Sequence, residues 1–447
     1  MQDNNDKNKR PSMPVGNDSG VPHSEGKKPQ PPASAHVDED DFAELEERFS
    51  SHAKNKYYAK VSTGYRNVKL ILIIILTAIV AFALVLGADN FTYSNLRYLL
   101  RNFGDADSGD PERAPSVEYH GADGAKLGVY GGKLAVAGSD NVSLFRMSGK
   151  RIYEISSEHS SPELTCGGKY FFVWKCGDPV ISVFNAVSRV GSFSADGPIY
   201  AVSADDHGSF AVLYKDRVYT SAVAVYDSDL QKRATKTMPQ DNAVDIALSY
   251  DGTMLYTLSF TTRDGDFETK LDFSDIIGGE VVHTYTYNGE FPLKVGAFKD
   301  GGCYVVTDKS VYVYSRVGEL LCGRNSDGDV YRIIDSETYV CTVSDVRGGK
   351  GLVTTVSKDG EIKISASVDG AVLDGCINGD GLFLLSSSIV LVSLDDSSKQ
   401  LIGRSPNALG LLCDGDAVYC VYTGRAELVF LDGKPVNNAA DTQSAAN

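Results

Sequence analysis

The side chains able to do chemistry are scattered along this 447-residue chain. Beyond residue 115 the histidines are His120, His159, His207 and His283, each isolated from the others in sequence. No Ser or Cys motif accompanies any of them, so no nucleophile–base arrangement can be read. The densest grouping is "ADDHGS" at 204–209, where Asp205, Asp206 and His207 sit together. Asp-His-Gly is equally ordinary chemistry for a tight turn between strands. "RDGDFE" at 263–268 and "NSDGDV" at 325–330 carry paired Asp residues of the type that bind Ca²⁺. Neither completes the D-x-[DN]-x-[DN]-G loop, and turn formation accounts for both. Eight cysteines are Cys166, Cys176, Cys303, Cys322, Cys341, Cys376, Cys413 and Cys420. Cys166/Cys176 and Cys413/Cys420 are each spaced to bridge adjacent strands, although most of the eight lie in apolar runs where a free thiol behaves as a small hydrophobe. There is no CxxC to suggest zinc. These residues assign no catalytic, cofactor-binding or metal-binding position, so no cofactor is expected and an enzymatic role is not favoured.

The elements that would have to position such groups are short. Residues 131–156 read "GGKLAVAGSDNVSLFRMSGKRIYEIS", three strand-length apolar runs cut by polar turns. One such meander buries a single face and leaves two open edges. Relatives of it recur to residue 435, with unit starts near 125, 163, 199, 243, 291, 330, 371 and 408. The steps are those of propeller blades. The last unit offers only three strands, and a spare strand, "PSVEYHG" at 115–121, precedes the first. Pairing the two would close a ring. The expectation is an all-β, eight-bladed β-propeller over residues 115–435, with seven blades as the alternative because unit four is long and unit eight short. Within the opening unit, KLAVAG is expected to face the central channel and RIYEIS to lie toward the rim.

Three zones precede the repeats. Residues 1–36 are rich in Asn, Asp, Pro, Gly, Ser and Lys, with few large apolar side chains. The whole of 1–69 is therefore expected to be a mostly disordered cytoplasmic tail, with a short amphipathic helix near 40–50 through Phe42, Leu45 and Phe49. Residues 70–86, "LILIIILTAIVAFALVL", carry no charge. A helix over 70–88 would span close to ~30 Å of hydrocarbon. Lys54, Lys56, Lys60, Arg66 and Lys69 flank its N-terminal side, which puts the N-terminus inside and residues 89–447 outside. Residues 89–114 then form a juxtamembrane segment and linker, and 436–447 a disordered C-terminal tail. Charge fits this division. Residues 1–69 carry eleven of each sign, so the entire net −16 resides from residue 70 onward. So acidic a domain repels nucleic acid.

Anchor and repeats together, over residues 60–434, resemble the membrane-anchored propeller proteins of Gram-positive anaerobes, and more distantly WD40-like and quinoprotein-like propellers. The resemblance implies a single-pass extracytoplasmic scaffold in the cell envelope. Its partners would be proteins or a wall component held by propeller loops, with a cytosolic partner for the tail. Quinone-dependent propellers use recurrent Trp residues, whereas Trp174 is alone here, and sialidase-type Asp boxes are absent. The alternative is a small-molecule sensor or enzyme using the central funnel.

Overall fold

The computed structural model describes residues 65–78, 113–120, 124–299, 301–346 and 350–436. By contact the chain divides into Met1–Asp89 and Asn90–Asn447. The second unit is an eight-bladed β-propeller. Seven blades are four-stranded antiparallel sheets built from consecutive strands: blade 1 over 126–156, blade 2 over 163–194, blade 3 over 199–238, blade 4 over 242–288, blade 5 over 292–325, blade 6 over 330–369 and blade 7 over 374–404. Blade 8 takes three strands from 410–431 and its fourth, Ser116–Glu118, from the other end of the ring. The eighth unit's missing strand and the spare strand ahead of the first are thus the same feature. Val117 pairs with Ala426 and is fully buried. Ala114 N donates to Met147 O at 2.8 Å and Leu428 N to Pro115 O at 3.0 Å, which ties the closing strand to blade 1 as well as blade 8. Arg113 forks onto Asp414 at 2.7 Å and Asp416 at 3.1 Å.

Burial explains why these runs become the strands they do. The middle strands of each blade are buried on both faces, as in Phe171–Trp174 and Ser221–Tyr226. Such strands read as continuous apolar runs. The outer strands alternate, as in Arg189–Ser194, because one edge of every blade meets solvent. Side chains of successive residues point to opposite faces, so one strand serves two seams. Phe171 and Val173 pack toward blade 1, while Phe172 and Trp174 pack toward blade 3. Eight apolar clusters result, one at each seam of the ring.

One expectation about the opening unit is corrected. KLAVA (Lys133–Ala137) is the second strand of blade 1, and the innermost is Lys126–Val129. The inner strand is only half-buried because it borders the channel, so it lacks a full apolar signature. RIYEIS is the outermost strand, as expected.

The described part of the first unit is a helix over residues 65–78, with its side chains exposed. It begins ahead of the apolar run, and among the described residues no helix is long and apolar enough to cross a membrane. The rest of the expected span, the tail before residue 65, its amphipathic segment and the C-terminal tail lie outside the described residues.

Candidate functional site in the central channel

The first strands of neighbouring blades stand side by side around the axis, and their side chains meet in the channel. On the side of blades 2 to 6 the channel is not filled. A cavity of about 430 Å³ opens there, because Ser203, Ala204, Ala247, Gly296 and Ala297 are small. Charged groups line it: Asp205, Asp206, Asp245, Lys294, Asp335 and Glu337.

At the centre Lys294 Nζ lies 2.7 Å from Asp335 Oδ1, and the Tyr304 hydroxyl donates to Asp335 Oδ2 at 2.6 Å. Gly296 makes that tyrosine's position possible, since a Cβ there would come within 2.2 Å of the Tyr304 ring. Asp245 faces the same ammonium. Its Oδ2 accepts the Val295 N–H at 3.0 Å and its Oδ1 the Ile246 N–H at 2.9 Å. Burial pushes the Asp245 carboxyl up to about 6, against the backbone donors and Lys294. Burial also disfavours the Lys294 ammonium, but Asp335 and Asp245 outweigh it and hold the group above its ordinary value. Lys294 is therefore a fixed cation rather than a nucleophile, and Asp245 is a carboxylate clamped by two N–H groups.

The inner strands of blades 3 to 6 share a second device. Each carries a register shift near its start, at Ile199/Ala201, Ala243/Asp245, Pro292/Lys294 and Val330/Arg332. A bulge re-aims the side chain that follows it. In blades 4, 5 and 6 those residues are Asp245, Lys294 and Arg332. Opposite charges thereby stand on neighbouring inner strands, Asp245 with Lys294 and Arg332 acting on Asp374, and the unbulged inner strands of blades 1 and 2 pair Lys126 with Glu163 at 3.2 Å. Asp374 Oδ2 accepts the Leu411 N–H at 3.0 Å across the next seam, repeating what Asp245 does at its own.

The residues singled out by sequence fall in different places. Asp205 and Asp206 line the channel, while His207, at the same turn, is exposed. Asp205 Oδ1 accepts the N–H groups of His207, Gly208 and Ser209 at 2.7–2.9 Å, so "ADDHGS" is a side-chain-capped turn between the first two strands of blade 3. The four histidines do not converge. His120 follows the closing strand and is exposed, His283 lies exposed on the outer strand of blade 4, and His159 is buried against Ser182 Oγ at 3.2 Å. Burial lowers the His159 imidazole. "RDGDFE" is a two-residue hairpin turn with both Asp264 (φ 53°) and Gly265 (φ 91°) in the left-handed region. "NSDGDV" links blades 5 and 6. Among the described residues no group of three or more His, Cys, Asp or Glu side chains could hold a metal ion.

The cysteine pairing within blades is also corrected. Cys376 and Cys413 are bonded, with Cα atoms 6.0 Å apart, joining the inner strands of blades 7 and 8. Cys166, Cys176 and Cys420 are free thiols. Cys303, Cys341 and Cys420 are buried, and burial pushes the thiols of Cys166 and Cys341 up to about 12, which leaves them unreactive.

A closed ring of eight antiparallel blades around an open, charged channel defines an eight-bladed β-propeller of WD40-like architecture. The chain belongs to the family described as a family of unknown function (DUF5711), whose profile matches residues 112–401. No curated protein matches it in sequence. In fold it is similar to Sqt1 of Saccharomyces cerevisiae, at 10% identity and a TM-score of 0.53, covering 72% of this chain and 100% of that one. It is also similar to the C-terminal WD40 domain of Sif2, at 12% identity and a TM-score of 0.51, covering 72% of this chain and 99% of that domain.

Proposed function

We propose that this chain is a membrane-anchored propeller of the cell envelope, working outside the membrane as a non-enzymatic docking protein. The observation that carries the reading is one loop face of the ring. Inner strands begin at this face, and the hairpins joining second to third strands turn there. Tyr200, Val218, Tyr219, Tyr331, Leu373 and Leu409 stand on it, each 40–83% exposed. Apolar side chains from several blades around one rigid axis suit multivalent contact with a protein or a wall component. The uncharged run 70–86 and its basic N-terminal flank support the anchor and its orientation, with the tail left to meet a cytosolic partner. The Cys376–Cys413 bond supports an oxidising location for the ring. A photo-crosslinking residue at Val218, compared in intact cells with one at Val317 on the opposite face, tests the docking face. Discrete adducts from Val218 alone are expected, and equal labelling from both positions would sink the reading. Protease added to intact cells should degrade the propeller, whereas protection would reverse the orientation.

A second reading, a small-molecule sensor or enzyme with its site in the funnel, is favoured by one observation. Asp205, Asp245 and Asp335 converge with Lys294 on an open cavity. The clamped Asp245 and the fixed Lys294 cation suit binding better than catalysis.

A further inference from the structure

The outer strands of blades 1 to 6 all begin in the same way. The first residue pairs just beyond a register shift, at Phe145↔Arg151, Phe184↔Arg189, Tyr226↔Lys232, Ser274↔Val281, Tyr314↔Leu320 and Val356↔Ile362. One position of the fold is thus repeated six times. Blades 1 to 3 fill it with Arg, Arg and Lys, the kind of residue that protects an open sheet edge. Blades 4 to 6 fill it with Val, Leu and Ile. Packing does not ask for these, since Val281, Leu320 and Ile362 are 46–54% exposed. Their neighbours extend the change. Val282 and Leu321 follow on the strands, while Ile277 and Val317, 85% and 68% exposed, sit on the turns just ahead. The three blades touch here. The Tyr285 hydroxyl of blade 4 donates to Gly318 O in blade 5, and a Cβ at Gly360 of blade 6 would lie 2.9 Å from Leu321 O. The result is one aliphatic arc, bounded by Lys232 in blade 3 and by Lys399, which opens the outer strand of blade 7.

We propose that this arc rests on a lipid bilayer. It lies on the face where third and fourth strands turn, opposite the loop face that carries the exposed tyrosines. The chain that follows the uncharged run reaches the ring at this same face. There Arg113 binds Asp414 and Asp416 at the first turn of blade 8, and Ala114 N donates to Met147 O at the last turn of blade 1. Blades 8 and 1 stand across the ring from blades 4 and 5. The point of entry and the arc therefore occupy opposite sides of one face, which suits a disc lying flat. Residues 89–112 can span at most ~80 Å, enough to permit the contact without enforcing it. The arc itself selects lipid. It is aliphatic throughout, whereas protein hot spots favour Trp, Tyr and Arg, the type represented by Tyr200, Tyr219 and Tyr331 on the other face. Apolar side chains exposed on one side of an element are what settle at the headgroup boundary. Nearby cations are already answered, Arg316 by Asp251, Lys299 by Glu337 and Lys363 by Glu361, so the contact needs no anionic lipid. This inference rests on the anchor of the proposed function. It leaves the crosslinking comparison intact, because Val317 would label lipid and give no discrete protein adduct.

Trp174 is the only tryptophan of the chain and is buried, so a second one reports its own surroundings. The full-length chain carrying Leu320→Trp is reconstituted into phosphatidylcholine liposomes, with and without brominated acyl chains as quencher. The brominated lipid should quench at least half of the emission that Leu320→Trp adds, and should leave wild type and Tyr219→Trp, on the other face, unchanged. Adding Val282→Asp and Ile362→Asp to Leu320→Trp should at least halve that quenching, and undiminished quenching overturns the proposal. Emission of Leu320→Trp that ignores the brominated lipid also overturns it, and a blue shift without quenching assigns the arc to a second copy of the chain instead. Should Leu320→Trp fail to fold, Val282→Trp gives the same reading from blade 4. Wild type that fails to float with the liposomes after carbonate extraction removes the anchor and this inference with it. A floating chain whose Leu320→Trp stays unquenched removes this inference alone.

Discussion

The Cys376–Cys413 bond ties together two inner strands that share no backbone ladder, and its effect can be worked out from the loop it closes. The sequence separation is 37 residues. Removing the loop-closure entropy of a segment that long from the unfolded chain stabilises the native ring by roughly 4 kcal/mol at 25 °C. Cys376→Ser should therefore lower the unfolding free energy by about 2–4 kcal/mol, the lower end allowing for residual structure in the unfolded chain. Urea denaturation of four samples gives the answer: wild type and variant, each with and without dithiothreitol. Reduced wild type should fall to the level of the variant, and the variant should be indifferent to reductant. Cys176→Ser, at an exposed free thiol, should match wild type under both conditions. Thiol titration of the denatured chain supplies an independent check, with six free thiols before reduction and eight after. Eight thiols without reductant would refute the reasoning outright. So would a reductant effect below about 0.5 kcal/mol, because a closed loop of this length cannot be so nearly neutral on entropic grounds.

Three further outcomes follow from the closure and the channel. Arg113→Ala loses charged hydrogen bonds to Asp414 and Asp416 and should cost about 1–3 kcal/mol, read as faster amide exchange confined first to Ser116–Glu118 and Arg425–Leu431. Gly296→Ala drives a methyl into the Tyr304 ring and should cost about 1–3 kcal/mol in a thermal melt, while Tyr304→Phe, which keeps the space and loses only the bond to Asp335, should cost less. Asp245 gives a pH dependence. Its folded value of about 6 lies above the ordinary one, so its contribution is complete below about pH 4 and is lost as pH rises through about 6, a swing of about 3 kcal/mol. Stability curves of wild type and Asp245→Asn should converge or cross over that window, and parallel curves would show that the carboxyl carries no such penalty.

Much of the ring is legible in the sequence because the middle strands of each blade are buried on both faces. Runs such as "FFVW" and "AVAVY" mark the blades, and each expected unit start lies within three residues of the first strand or coincides with it. The inner strands are where the pattern misleads. Lys126–Val129 is four residues long, half-buried and contains a glycine, so the stronger apolar run behind it, KLAVA, outweighs it as a strand signal. The disulfide does leave a trace. Cys376 and Cys413 lie one blade length apart on successive inner strands, a spacing that emerges only when units are aligned on their first strands. Asp245, Lys294 and Arg332 are brought to the same level by bulges, and a bulge shifts register by a residue without any mark in hydrophobic periodicity.

The inner strands explain why polar residues line this channel at all. Strands of neighbouring blades do not form a ladder with each other, so backbone groups facing a seam must be answered by side chains. Asp245 answers Val295 N and Asp374 answers Leu411 N. Ser203 Oγ accepts the Leu248 N–H at 3.0 Å, and the Thr165 hydroxyl donates to Val202 O at 3.3 Å. Each of these polar groups is accounted for by the ring itself, with no ligand required. Lys294, Tyr304 and Asp335 likewise satisfy one another. Asp205 also belongs to the ring's own bonding. It caps its own turn through one oxygen and lays the other against Gly252 of the next blade. Seam latches are replaceable by any residue that answers the same backbone group. Substitution of Asp374 or Ser203 by Ala should therefore lower stability in urea denaturation, while Asp374→Asn, which keeps an acceptor for Leu411 N, should cost less.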